Sequence, residues 1–249
     1  LGDGNAFGLK TEKLYEILDL IAYYFPECEG INMDATVTSI LHKSQEELEM
    51  LARKKVKHLY LGIESGLDDV LKFMKKDHDL AQAYQAIDRL HEAGLIYDAH
   101  IMTGVAGKGR GMENAEALAQ FLNRTNPAHV VNFSMFLHKE VPLYQDIRQG
   151  TFAPADELET IREEYHLIER IAPEKAGANI LYDGFHDFIH VRVRGHLPGD
   201  KEKMLAKLNG IIQEYEGKEP VYSFVQGECP DLEYCDDGKA VWDMDRKTS

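Results

Sequence analysis

Leu59-Tyr-Leu-Gly-Ile-Glu-Ser-Gly66 decides the reading of this chain, because it has the pattern of a short buried strand that delivers one carboxylate, Glu64, onto a glycine-flanked turn. Leu59, Leu61 and Ile63 alternate with Tyr60, Gly62 and Glu64, the period of a pleated strand. The helix-start signal Ser65-Gly-Leu-Asp-Asp69 follows at once. In an α/β protein Glu64 then lies at the carboxyl end of a strand, where such folds bind ligands. The competing reading of Glu64 is an ion pair with a barrel lysine or arginine.

Three further segments repeat the arrangement at helical distances. Residues 31–37 are strand-like, with Asn32, Asp34 and Thr36 on one face. Residues 97–104 end in a glycine-rich loop, and 129–137 are apolar and β-branched or aromatic, with Asn132 and Ser134 on one face. Between them lie helical patterns at 11–25, at 44–54, at 80–93 and at 112–124, the second of which opens with the capping-box pair Ser44 and Glu47. Helix and strand alternating from Lys10 to Leu137 is the sign of parallel strands with right-handed crossovers. The fold class expected is α/β, a barrel or partial (β/α) TIM-like barrel.

Composition narrows the function classes. A chain of 249 residues with 44% hydrophobic content can bury a substantial core as one domain. No segment approaches the ~20 apolar residues of a membrane span, and no signal peptide is visible. The net charge of −15 argues against nonspecific nucleic-acid binding, which needs a basic footprint. Three cysteines, Cys28, Cys229 and Cys235, form no dense framework and suggest a reducing, cytoplasmic setting.

Particular words resemble the radical S-adenosylmethionine (SAM) superfamily. They are Leu1-Gly-Asp-Gly-Asn-Ala-Phe-Gly8, the Glu64 word followed by Val70-Leu-Lys-Phe-Met-Lys-Lys76, and Ala99-His-Ile-Met-Thr-Gly104. The chain is most similar to the branch described as Elongator-catalytic-subunit-like or oxygen-independent coproporphyrinogen oxidase-like, a subset of which carries a tail like His190-Val-Arg-Val-Arg-Gly-His-Leu-Pro-Gly199. The resemblance runs to about residue 212. It implies that residues 1–4 end the second barrel strand, with Asp3 holding the SAM amino group and Gly2 and Gly4 allowing close backbone approach. By the same resemblance Asp34 and Thr36 contact the ribose, Glu64 gives a polar SAM contact, Met102 lies in the region beneath the adenine, and residues 133–137 meet adenine through backbone.

One departure is severe. The superfamily's cluster motif, Cys-x-x-x-Cys-x-x-Cys, is absent, and the three cysteines present have another spacing. The resemblance therefore implies a 4Fe-4S cluster whose ligands are not in this chain, an electron donor such as flavodoxin or ferredoxin, and an unidentified small-molecule or peptide substrate. The reading is a radical SAM enzyme seen without its N-terminal segment, inactive as this chain alone. The alternative is a non-catalytic barrel that binds a small metabolite or a partner protein and has lost the cluster.

Other motifs favour plainer readings. Gly104-Val-Ala-Gly-Lys-Gly-Arg-Gly111 lacks the Ser/Thr after lysine that a P-loop requires, so a flexible lid is expected. His186, Asp187 and His190 offer metal-ligating types on an expected strand, but ordinary hydrogen-bonded histidines are favoured. Cys229 and Cys235 make an incomplete metal site in an acidic run, and Lys75-Lys76 with Asp77-His-Asp79 reads as a solvated loop. Residues 1–150 are expected to form the partial barrel. Residues 151–217 form a small α+β extension with helices at 154–172 and 200–215 and strands in 179–193, and 218–249 an acidic tail. In the extension Arg192, Arg194 and His196 are candidates for recognising an anionic group.

Overall fold

Parallel pairing orders the molecule. The computed structural model describes residues 1–2, 4–224, 233–234 and 240–241; the expected roles of Asp3, Cys229 and Cys235 lie outside these residues. The elements run α1 (Thr11–Tyr24), β1 (Ile31–Ala35), α2 (Val37–Leu41), α3 (Gln45–Arg53), β2 (Val56–Glu64), α4 (Asp68–Phe73), α5 (Leu80–Glu92), β3 (Ile96–Thr103), α6 (Gly111–Thr125) and β4 (His129–Ser134). They continue as α7 (Leu143–Arg148), α8 (Glu157–Arg170), β5 (Ile180–His186), β6 (Val191–Leu197) and α9 (Lys201–Tyr215), followed by a short strand pair, Glu233–Tyr234 and Ala240–Val241. Strands β1 to β6 lie side by side in chain order; the first five are parallel and β6 returns antiparallel to β5. The sheet does not close, which makes it the partial TIM-like barrel expected. The segment after residue 150 supplies two strands of this same sheet.

Helices form where the caps dictate. Ser44 accepts from the Glu47 amide while Glu47 reaches back to the Ser44 amide, and Asp79 with Gln82 does the same for α5. One expected strand is shorter than its pattern: β1 stops at Ala35, because the Thr36 hydroxyl accepts from the Ser39 amide and caps α2. The expected strand through 186–190 is also broken, since Asp187–Ile189 form a 3-10 turn and His190 adopts the left-handed conformation, so His186 and His190 share no face.

The two faces of the sheet differ. Leu59, Leu61, Ile63, Ala99, Ile101 and Val130 are fully buried and join Leu14, Leu48, Ile87, Leu118 and Ile168 of the helices in one core. The alternate residues point the other way, in rows across the strands: Gly62, His100, Val131, Asp183 and Arg194 make one row, and Met102, Phe133, Phe185 and Arg192 the next. Phe133 is 36% exposed although its strand is internal to the sheet.

Candidate functional site

At the carboxyl ends of β1 to β3, on the face away from the helices, lies a cavity of about 320 Å³ lined by Gly4, Asp34, Thr36, Tyr60, Glu64, Lys76, Asp77 and His100, among others. Glu64 is placed there by an irregularity. The β2–β3 register shifts between Gly62 and Glu64, and Glu64 takes a left-handed backbone (φ 62°) that costs a non-glycine residue about 1 kcal/mol or more. Bulges of this kind re-aim a side chain, and here the result is a carboxylate whose Oε1 accepts from Lys76 Nζ at 3.2 Å. Gly62 lies beneath the pair, where a Cβ would stand 2.7 Å from Glu64 Oε1 and 3.2 Å from Lys76 Nζ and would displace these side-chain ends. Glu64 thus faces a cavity at a strand end and also forms the lysine pair of the competing reading.

The lining is acid-rich. Three carboxylates, Asp34, Glu64 and Asp77, face one ammonium, Lys76. Asp77, tied to the Thr38 hydroxyl and to His78 Nδ1, has its carboxyl below the usual range: burial pushes it up, but these hydrogen bonds, the charge of His78 and a backbone hydrogen bond together outweigh that. His100 has an imidazole held below its ordinary pKa by burial, which outweighs the raising effect of Asp34 and Glu64. Neither ring nitrogen of His100 has a hydrogen-bond partner among the described residues. The loop read as simply solvated therefore contributes Lys76 and Asp77 to the site. His100 and Tyr60 were missed, although their alternation with buried Leu61 and Ala99 put them on the Glu64 face.

Of the residues expected at the cofactor, Gly4, Asp34, Thr36 and Glu64 come together around this cavity, and Thr36 also caps α2. Met102 does not line it; it packs toward a smaller apolar cluster that includes Val105, Met135 and Phe152. His58 and Asp98 lie deeper on the same face, with Nδ1 and Oδ2 2.7 Å apart and the Asp98 carboxyl raised by burial.

Behind the sheet a buried network holds the mouth in place. Asn114 Oδ1 accepts from the Ser65 hydroxyl at 2.7 Å and from the Gly66 amide at 3.2 Å, fixing the turn just after Glu64. Asn114 Nδ2 donates to Glu163 Oε1 at 2.7 Å, and Glu163 Oε2 accepts from the Gly104 amide at 2.9 Å. Burial pushes the Glu163 carboxyl up to about 7. Nearby, His186 lies between Glu157 Oε2 and Glu164 Oε2, each at 3.0 Å. Burial opposes its charge, yet the two carboxylates bring its pKa up to about 10. His186 is thus the hydrogen-bonded histidine favoured from sequence. No group of three His, Cys, Asp or Glu side chains that could hold a metal ion occurs among the described residues.

A sheet of mainly parallel strands with an acidic pocket at their carboxyl ends is an α/β fold with a cavity where such folds bind ligands. Residues 2–122 match the sequence model of the radical SAM superfamily, and this segment is of radical SAM type. The tRNA uridine(34) acetyltransferase of Methanocaldococcus infernus is 25% identical over 119 residues, covering 47% of this chain and 22% of that protein. The archaeal Methanocaldococcus infernus Elp3 with an N-terminal deletion (1–46) superposes with a TM-score of 0.61 at 16% identity, over 85% of this chain and 53% of the other. That likeness shows the fold. The chain spans about a fifth of the curated relative and about half of the solved one.

The superfamily implies two groups, and the donor sets test them separately. SAM carries a sulfonium and an ammonium, and a pocket with three carboxylates against one lysine fits a ligand of that charge. A 4Fe-4S cluster needs thiolates. Cys28, the free cysteine among the described residues, lies between α1 and β1 with Sγ donating to the Gly30 carbonyl, so no cluster-binding set is present among those residues.

Proposed function

We propose that this chain is the SAM-binding portion of a radical SAM enzyme whose complete form cleaves SAM reductively and abstracts hydrogen from a substrate. The observation that carries the reading is Glu64, held in a strained conformation at a strand end inside the matched segment and surrounded by Asp34, Asp77, Lys76 and His100. SAM supplies, when bound beside a reduced cluster, a carbon radical able to take a hydrogen atom. This chain's own residues orient and shield. Glu64 and Asp34 accept hydrogen bonds from ammonium or ribose hydroxyl donors, and charge-assisted bonds are about twice as strong as neutral ones. Lys76 offers a cation to a ligand carboxylate, while Tyr60 and His100 line the inner side.

Cluster ligands and an electron donor of the flavodoxin or ferredoxin kind belong to the complete protein in this reading. A tRNA substrate is not part of this proposal, because the net charge of −15 argues against nonspecific nucleic-acid binding by this chain. The non-catalytic alternative rests on the lack of a cysteine triad among the described residues. The deciding experiment is equilibrium dialysis of labelled SAM against this chain, wild type and Glu64→Gln, with dithionite-dependent formation of deoxyadenosine by the full-length protein in parallel. SAM binding that weakens in the variant, with deoxyadenosine from the full-length protein only, supports the proposal. Saturable SAM binding without any turnover in the full-length protein moves the reading to a binding scaffold, and no binding overturns both.

A further inference from the structure

The wall beside the cofactor pocket has a chemistry of its own. A line of rings crosses the sheet on the face away from the helices. Tyr60 and His100 centroids are 5.3 Å apart, His100 and Phe133 meet edge-on at 5.8 Å, and Phe133 lies nearly parallel to Phe185 at 5.9 Å. The Arg192 guanidinium caps the line, 4.7 Å from the Phe185 centroid. Such rings normally seek cover, yet Phe133 keeps more than a third of its surface exposed in an internal strand. Tyr60 and His100 belong to both the ring line and the acidic cavity, so the two surfaces are continuous.

Charge gives the wall a direction. At its far end Arg192 binds Asp183 through two hydrogen bonds, at 2.8 and 2.6 Å, while Arg194 stands 3.6 Å from the same carboxylate. Among the described residues two guanidiniums share this one carboxylate, which leaves one positive charge there without a paired acid. Lys203 and Lys207 of α9 line a cavity with the same two arginines and add to the positive field. The opposite end is the acid-rich pocket.

We propose that this wall is the substrate surface and that it takes a planar aromatic molecule carrying an anionic group. The ring lies against Phe133 and Phe185, the carboxylate or phosphate meets Arg194 and the free side of Arg192, and a polar edge hydrogen-bonds the ring nitrogens of His100, which have no partner among the described residues. The proposal rests on the pocket around Glu64 being the cofactor site. Acid at the pocket suits the cation, and base at the far edge suits a substrate of opposite sign. Guanidinium groups also select the planar, bidentate geometry of a carboxylate or phosphate.

The test uses four probes on the full chain, indole-3-acetate, phenyl phosphate, indole and acetate, followed by calorimetry and by saturation-transfer NMR. The two ringed anions should bind at least about tenfold more tightly than the ring or the anion alone, a difference of about 1.4 kcal/mol. Phe133→Ser and Arg194→Gln should each weaken that binding by about fivefold or more with the melting temperature unchanged. Phe133→Leu, which keeps apolar bulk but removes the ring, guards against misfolding of the serine variant. No preference for ringed anions, or a preference that survives all three substitutions, overturns the proposal. SAM affinity measured on the same samples separates the two readings. Ringed-anion binding without SAM binding sinks the cofactor pocket alone, and SAM binding without ringed-anion binding sinks the substrate wall alone.

Discussion

The acids behind the sheet and Glu64 at its front are held in opposite ways. Behind it, Glu157, Glu163 and Glu164 are at most 1% exposed, and each is hydrogen-bonded to named partners: His186, Ser223 and Thr160; Asn114 and the Gly104 amide; Tyr182 and Asn132. In front, Glu64 keeps 24% of its side chain exposed and has one lysine at 3.2 Å. The difference teaches where each carboxylate acts. A fully satisfied buried set fixes geometry, whereas an exposed, strained carboxylate with spare lone pairs can still take a ligand. The two sides are linked through Asn114, which joins Glu163 to the turn Ser65-Gly66 behind Glu64.

The largest effect should come from removing the cation behind the sheet. His186→Ala leaves Glu157 and Glu164 buried without their shared positive partner, and breaking such a pair costs about 3–5 kcal/mol. Urea unfolding of the variant measures this directly; a loss below about 1 kcal/mol would show that the network is not held by charge.

Next is the pH behaviour of Glu163. Its folded pKa of about 7 lies above the ordinary 4.5, so the folded state binds the proton more tightly than the unfolded chain. The resulting stability is complete below about pH 4.5 and is lost as pH rises to about 7, a span of at most about 3 kcal/mol. Glu163→Gln cannot titrate, though it sets an amide against one of two donors and so lowers stability by about 1–3 kcal/mol. The difference in unfolding free energy between wild type and variant should therefore shrink from pH 4.5 to pH 7. A constant difference would mean that Glu163 stays ionised throughout.

Gly66→Ala probes the link between the sides. A Cβ at this position would stand 2.4 Å from the Leu118 amide nitrogen and 2.5 Å from the Ala117 carbonyl carbon. These are backbone atoms of α6, so the turn must shift, at about 1–3 kcal/mol. Because the shift moves Glu64, SAM affinity should fall with stability; stability lost alone would show that the turn and the pocket are independent.

The strand-and-helix alternation was legible because period and caps are local properties. Ser44 and Glu47 form the capping box their spacing announces, and Glu64 stands at a strand end as its alternation requires. The buried acids were not legible. Glu157 and Glu164, seven residues apart, share a helical stripe with Ile161 and Ile168, but glutamates in a helix read as the wet face. What draws them inward is His186, more than twenty residues downstream, and contacts across such a separation leave no periodic trace in the chain. Thr36 shows the converse failure: its alternation continued a strand, but a hydroxyl three residues before Ser39 was a cap. Lys76 reaches the site from the loop after α4, which no local pattern encodes, whereas the alternation of His100 with buried Ala99 did carry its face.

Glu64→Gln should have the smallest effect on folding and the most informative one on function. The Glu64–Lys76 pair is about a quarter exposed on both sides, so its loss belongs with surface pairs, at about 0–1 kcal/mol. The left-handed backbone at Glu64 is kept, because glutamine has the same reach and the same strain. What changes is charge: a neutral amide still accepts one hydrogen bond from a ligand donor but loses the charge assistance, worth about 1–2 kcal/mol and hence about tenfold in SAM affinity. If affinity falls while the melting temperature holds, the front of the sheet is a ligand surface and the back its scaffold. If the melting temperature falls and affinity holds, Glu64 is a structural ion pair like those behind the sheet, and the contrast between the two sides collapses.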